Sequence, residues 1–165
     1  MCDIRGADDA PRIFDWRKNM CRISKDDYYL NIALAVSERS TCLKRKYGAV
    51  IVKDDEIIST GYNGSPRGEK NCCEQGFCKR LNVEHNSGNY SDCHAVHAEQ
   101  NAMLSAARKD MIGATLYLAG EDFEEGLIKD ATPCPICDRM IKNAGIIRVV
   151  GRFTDDFINQ NERAE

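Results

Sequence analysis

The sequence predicts an α/β fold in three layers, a mixed sheet with helices on both of its faces. Three observations predict it. Two adjacent β-branched runs read as a hairpin, two more strand-like runs follow, and helical stripes alternate with them in the order α-β-β-α-β-α-β. A hairpin followed by β-α-β crossovers gives a sheet of mixed direction. The 165 residues suit one domain with a full core, expected over 24–165 behind an N-terminal arm at 1–23.

In chain order, the arm lacks periodicity, and Ile13, Phe14 and Trp16 are its candidate anchors. Ser24 and Asp27 mark a helix start, a capping hydroxyl and an acid at the positive end. Tyr29, Ile32, Ala33 and Val36 give that helix an apolar stripe. Ala49–Val52 and Ile57–Thr60 flank Asp54-Asp55 and predict a hairpin. From Asn71 to Asp92 the pattern dissolves into Cys, Gly, Asn and Ser, a length of loop that is uncommon unless functional or tied down. Ala98, Ala102, Met103 and Ala106 mark a helix beginning near His97. Thr115–Leu118 is a strand, Ile136, Met140, Ile141 and Ala144 a second amphipathic helix stopped by Gly145, and Ile147–Val150 a final strand.

Hydrophobic residues make up 42% and charged residues 30%, an ordinary globular balance. No run is long and apolar enough to span a membrane, and the first residues lack the apolar stretch of a secretory signal. The formal net charge of −3 favours a small substrate, and a nucleic-acid partner is not expected. The densest basic run, Lys44-Arg45-Lys46, reads first as a solvated turn. Nine cysteines, an odd number, argue against a disulfide framework and for metal or catalytic thiols in a reducing cytoplasm.

Two fragments carry the chemistry. His97-Ala98-Glu99 offers an imidazole and, two residues on, a carboxylate. Pro133-Cys134-Pro135-Ile136-Cys137 offers two thiolates one helical turn apart. His97, Cys134 and Cys137 make three zinc ligands, leaving a tetrahedral ion one open position, as in catalytic sites. Both fragments fall where a helix is about to begin, where ligands collect in α/β sheets. His-x-Glu followed by Pro-Cys-x-x-Cys is the signature of zinc-dependent nucleobase deaminases, in which the glutamate is no ligand but the acid and base. Glu99 takes that role here. A structural zinc knot or a redox Cys-x-x-Cys would explain the cysteines alone, not their pairing with His97 and Glu99.

The chain resembles the deoxycytidylate (dCMP) deaminase family of the cytidine deaminase-like superfamily, from about Tyr29 to Arg152. Further motifs carry the resemblance: Arg39-Ser40-Thr41-Cys42 before Gly48–Val52, Ser59-Thr60-Gly61-Tyr62-Asn63-Gly64-Ser65-Pro66 as a glycine-rich substrate loop, His97–Ala102 as the zinc helix, and Asn143–Ile146. The resemblance implies a cytidine deaminase-like fold and hydrolysis of dCMP to dUMP and ammonia with one catalytic zinc. It implies that Asn63 holds the sugar or base edge, that Gly61, Tyr62, Gly64 and Ala98 shape the pocket, and that Lys44, Arg45 and Arg67 are candidates for the 5′-phosphate. It also implies a homo-oligomer regulated by dCTP and dTTP. Some relatives carry a second, structural zinc, for which Cys73, Cys78 and Cys93 are the candidates here, with His94, His85 or Cys72 as a fourth ligand. One departure is the acidic insertion Glu121–Gly126, read as a solvated hairpin, with overhang of the pocket as the other reading. Two alternatives stay open: deamination of another base or nucleoside (cytidine, cytosine, a modified nucleotide, adenosine in transfer RNA), and a non-catalytic zinc- and nucleotide-binding regulatory protein.

Overall fold

The computed structural model describes residues 22–83 and 92–154. The arm to residue 21 with its three candidate anchors, His85, and the tail from residue 155 lie outside the described residues. Helix α1 spans Lys25–Ser37, strands β1 and β2 span Arg45–Lys53 and Glu56–Tyr62, and the short helix α2 spans Cys72–Gln75. Helices α3 (Ala98–Leu104) and α4 (Arg108–Met111) precede strands β3 (Thr115–Asp122) and β4 (Gly126–Leu127), then helix α5 (Pro135–Ala144) and strand β5 (Arg148–Val150). The expected order holds, with α2, α4 and β4 added.

The sheet is mixed. β1 pairs antiparallel with β2 on one edge and with β3 on the other. The far edge of β3 is shared by β4, antiparallel, and β5, parallel. Asp54 and Asp55 both have positive φ, 51° and 69°, the left-handed pair a two-residue hairpin demands and aspartate tolerates. Alternate residues of the central strands feed two cores. Ala49, Ile51, Leu116 and Leu118 face α3, α4 and α5, whereas Val50, Val52, Tyr117 and Ala119 face α1 and Phe153. This alternation puts helices on both faces, as the period-2 geometry of a strand requires.

The buried stripe of α1 is Tyr29, Leu30, Ala33 and Ser37, while Ile32 and Val36 are only half-buried. The helix is turned toward its smallest residues because it lies directly on β1. A Cβ at Gly48 would stand 1.9 Å from the Ala33 carbonyl oxygen. Ser24 caps the helix as expected, its Oγ accepting from the Asp27 amide at 3.0 Å.

The acidic insertion is a hairpin. β3 runs to Asp122, whose Oδ1 accepts from the amides of Glu124 (2.9 Å) and Glu125 (3.3 Å), while Oδ2 meets Arg45 Nε at 2.5 Å. Hydrogen bonding to Arg45 holds the Asp122 carboxyl below the usual aspartate range, and Arg148 does the same for Asp26. A carboxyl lowered by folding adds stability above the ordinary aspartate pKa of ~3.9, and that stability is lost as pH falls through the lowered value. Urea midpoints should therefore drop between about pH 4 and pH 2, and Asp122→Asn should flatten that drop. An unchanged acid slope in the variant would show that Asp122 does not contribute.

Candidate active site

The two chemical fragments meet at the N-termini of α3 and α5. His97 is the N-cap of α3, and its amide donates to Gln100 Oε1 at 3.0 Å. Cys134 is the N-cap of α5, with Pro135 at the first helical position, and its Sγ accepts from the Cys137 amide at 3.5 Å.

His97 Nδ1 lies 3.5 Å from Cys134 Sγ and 3.4 Å from Cys137 Sγ. All three ligand atoms fall within 4.8 Å of one another, the one such group among the described residues. Zinc bonds of ~2.0 Å to nitrogen and ~2.3 Å to sulfur, at a tetrahedral angle, separate the two donors by about 3.5 Å. The side chains fit that ion as they stand. Cys137 is fully buried, and burial, then the Glu99 charge, pushes its thiol up. Only a cation in their midst would hold such thiols ionised.

Glu99 sits in the first turn of α3 at 5% exposure. Burial pushes its carboxyl up, opposed by a backbone hydrogen bond, the His97 charge and a hydrogen bond with Cys137. It is thus not a fourth exposed ligand but a buried carboxyl beside the three.

One cavity opens onto these residues. Its wall includes His97, Ala98, Glu99 and Cys134, then Asn63 and Tyr47, and the cations Lys44, Arg45 and Arg80. Asn63 is held in place. Its Oδ1 accepts from the Tyr47 amide (2.8 Å) and Ser40 Oγ (2.7 Å), and its Nδ2 donates to the Arg45 carbonyl (2.9 Å). Glu121–Gly126 contribute nothing to this wall, so the insertion does not overhang the pocket.

Other expected contacts lie elsewhere. Gly61, Tyr62, Gly64 and Arg67 are not on the cavity wall. Gly61 is buried under α3, where a Cβ would stand 2.2 Å from the Ala102 nitrogen. The Tyr62 carbonyl accepts from Asn101 Nδ2 at 2.7 Å, Gly64 bridges to Val96, and Arg67 is exposed. Of these, Gly61 and Tyr62 hold β2 against α3, the helix that carries Glu99. Conversely, sequence reading missed Tyr47, Arg80, Val83 and Thr132 in the wall. Arg80 and Val83 belong to the unpatterned segment, whose length was the only signal that it had work to do.

Among the described residues, which exclude His85, the candidates for a second zinc do not come together as one group. Cys73 is exposed, His94 Nε2 pairs with Ser65 Oγ at 3.0 Å, and Cys78 and Cys93 line the cavity. The thiol of buried Cys72 is pushed up by burial and then by its neighbours Cys42, Cys93 and Cys78, but among the described residues no three of these sulfurs lie as close as one ion requires.

The chain is similar to known proteins in sequence and fold. Residues 23–152 match the family described as the cytidine and deoxycytidylate deaminase zinc-binding region. A deoxycytidylate deaminase of Mycobacterium phage D29 is 42% identical over 134 residues, 79% of this chain and 96% of its own. A deoxycytidylate deaminase of Schizosaccharomyces pombe is 40% identical over 135 residues, 80% of this chain but only 38% of its own length. Among solved structures, the dCMP deaminase of cyanophage S-TIM5, in complex with dCMP and dUMP, superposes with a TM-score of 0.56 at 26% identity, covering 86% of this chain and 94% of that one. A match that spans the sheet, both helix N-termini and all three ligand positions leaves one conclusion: the chain belongs to the zinc-binding cytidine and deoxycytidylate deaminase family.

Proposed function

We propose that this protein is a zinc-dependent hydrolase that converts dCMP and water to dUMP and ammonia. The observation that carries the reading is a cavity whose wall joins a buried carboxyl, Glu99, and two of the three metal donors, His97 and Cys134, at one place to the cation Arg80 at another. A neutral base fits the first and an anionic phosphate the second.

His97 Nδ1, Cys134 Sγ and Cys137 Sγ would hold one zinc per chain, which would supply Lewis acidity to the attacking water. Glu99 takes a proton from the attacking water on a carboxylate oxygen and passes it to the ring nitrogen beside the amino-bearing carbon. It then moves the second proton of that water to the departing amino group, which leaves as ammonia. Each transfer restores the carboxylate for the next. Asn63, locked by three hydrogen bonds, retains one Nδ2 hydrogen for the substrate's sugar or base edge. Burial of Glu99 and Cys137 keeps bulk water from the reacting centre.

The domain is proposed to begin at residue 24. Cytoplasmic residence suits the seven described cysteines, all free thiols, and among the described residues no helix is long and apolar enough to cross a membrane. Assembly into a homo-oligomer and control by dCTP and dTTP complete the proposal. Leu104 and Ile147, 76% and 77% exposed, offer apolar surface for the former.

The test is ammonia release from purified protein with dCMP, CMP, deoxycytidine and cytidine, each with and without dCTP. Turnover of dCMP well above the others is expected. Zinc bound without turnover of dCMP would overturn the assignment. Elemental analysis should give one zinc per chain, and Cys137→Ser should lose both the zinc and the activity. A variant that keeps its full zinc content would remove Cys137 from the ligand set.

A further inference from the structure

Three consecutive cations, Lys44, Arg45 and Lys46, have three separate destinations. Arg45 Nε meets Asp122 Oδ2 at 2.5 Å, and Lys46 Nζ stands 5.5 Å from the centre of the Phe123 ring. The Lys44 ammonium donates to two backbone carbonyls, those of Arg80 (3.0 Å) and Val83.

Residues 78–83 form one wall of the cavity. Cys78, Arg80 and Val83 are half-buried and line it, while Lys79, Leu81 and Asn82 are exposed. The segment closes on itself through two turns, the Leu81 amide to the Cys78 carbonyl and the Val83 amide to the Arg80 carbonyl, both 3.2 Å. None of its residues belongs to either hydrophobic cluster. A wall without apolar anchors opens easily unless polar contacts hold it, and an ammonium on two carbonyls is a charge-assisted anchor.

We propose that Lys44 is a positioning residue: it seats the 78–83 segment as a wall of the cavity, and thereby sets affinity for a nucleoside monophosphate, instead of meeting the phosphate itself. This rests on reading the cavity as the nucleotide site.

The test uses the zinc-loaded full chain. Lys44→Met keeps the aliphatic stem and removes the ammonium. The expected result is a rise of about 10-fold in KM for dCMP, larger than any fall in kcat, because a hydrogen bond to a charged group is typically worth that factor or more. The amides of Leu81 and Val83 should exchange with deuterium about 10-fold faster in the nucleotide-free protein. Lys44→Arg should restore both, and Lys44→Gln replaces the Met variant if that one does not fold.

A rise in KM with unchanged exchange would overturn the proposal, placing Lys44 on the substrate directly. Faster exchange with unchanged KM would also overturn it, since the wall would then not set affinity. Failure of the dCMP reading shows separately, as lack of turnover in the unsubstituted protein, and the exchange measurement still reads whether Lys44 seats the wall.

Discussion

Glu99→Gln should reduce dCMP turnover by about 10³-fold or more, the upper range for loss of a general acid–base, while zinc content and melting temperature should stay close to the original. Gln matches Glu in volume, so the buried position at the start of α3 stays filled. What it lacks is a site that can take a proton from water and give it back. The ligand atoms of His97, Cys134 and Cys137 do not depend on Glu99 for their placement: two are helix N-caps and the third lies in the first turn of α5. Loss of activity with retained zinc is therefore the specific outcome. Single-turnover assays beside elemental analysis decide it. A variant that keeps kcat within about tenfold would show that protons travel by another route, and a variant that also loses zinc would mean that the carboxyl helps to hold the ion.

The second large effect is structural. Gly61→Ala should destabilise the protein by about 3 kcal/mol, at the top of the usual range for overpacking, which corresponds to a melting temperature lower by about 6–12 °C. The added Cβ would lie 2.2 Å from the Ala102 nitrogen, 2.4 Å from the Ala98 carbonyl oxygen and 2.8 Å from the Asn101 carbonyl carbon. All three are backbone atoms, so no rotamer change relieves the clash. The helix must move away from β2, against the Asn101–Tyr62 and Ser59–Ala102 hydrogen bonds, and it carries Ala98 and Glu99 with it. Activity should fall together with stability. Thermal unfolding monitored by circular dichroism checks this. A variant as stable as the parent but with a raised KM would restore Gly61 to the substrate loop that its sequence suggested.

Those two residues divide what could be read along the chain from what could not. His97, Glu99, Cys134 and Cys137 were legible because their relations are local. An N-cap, a residue two further on, and a pair one helical turn apart keep their geometry wherever the helix goes. Asp54-Asp55 was legible for the same reason, since a two-residue turn is decided by the φ values its residues accept. The order of elements along the chain followed from hydrophobic periodicity, whereas the order of strands across the sheet, β2-β1-β3, is set by the fold.

The destinations of long side chains, and the partners of a glycine, depend instead on which distant surfaces the fold brings together. Lys44 is a phosphate candidate by sequence, and only the fold puts the carbonyls of Arg80 and Val83, 36 and 39 residues away, on its ammonium. Arg45 could not be matched to Asp122, 77 residues on, nor Gly61 to the back of α3. The stripe of α1 rotated from Ile32 and Val36 toward Leu30 and Ser37 because Gly48 lets the helix come to contact. Periodicity states that a helix has a buried face. Only the packing of β1 against it fixes which residues that face contains.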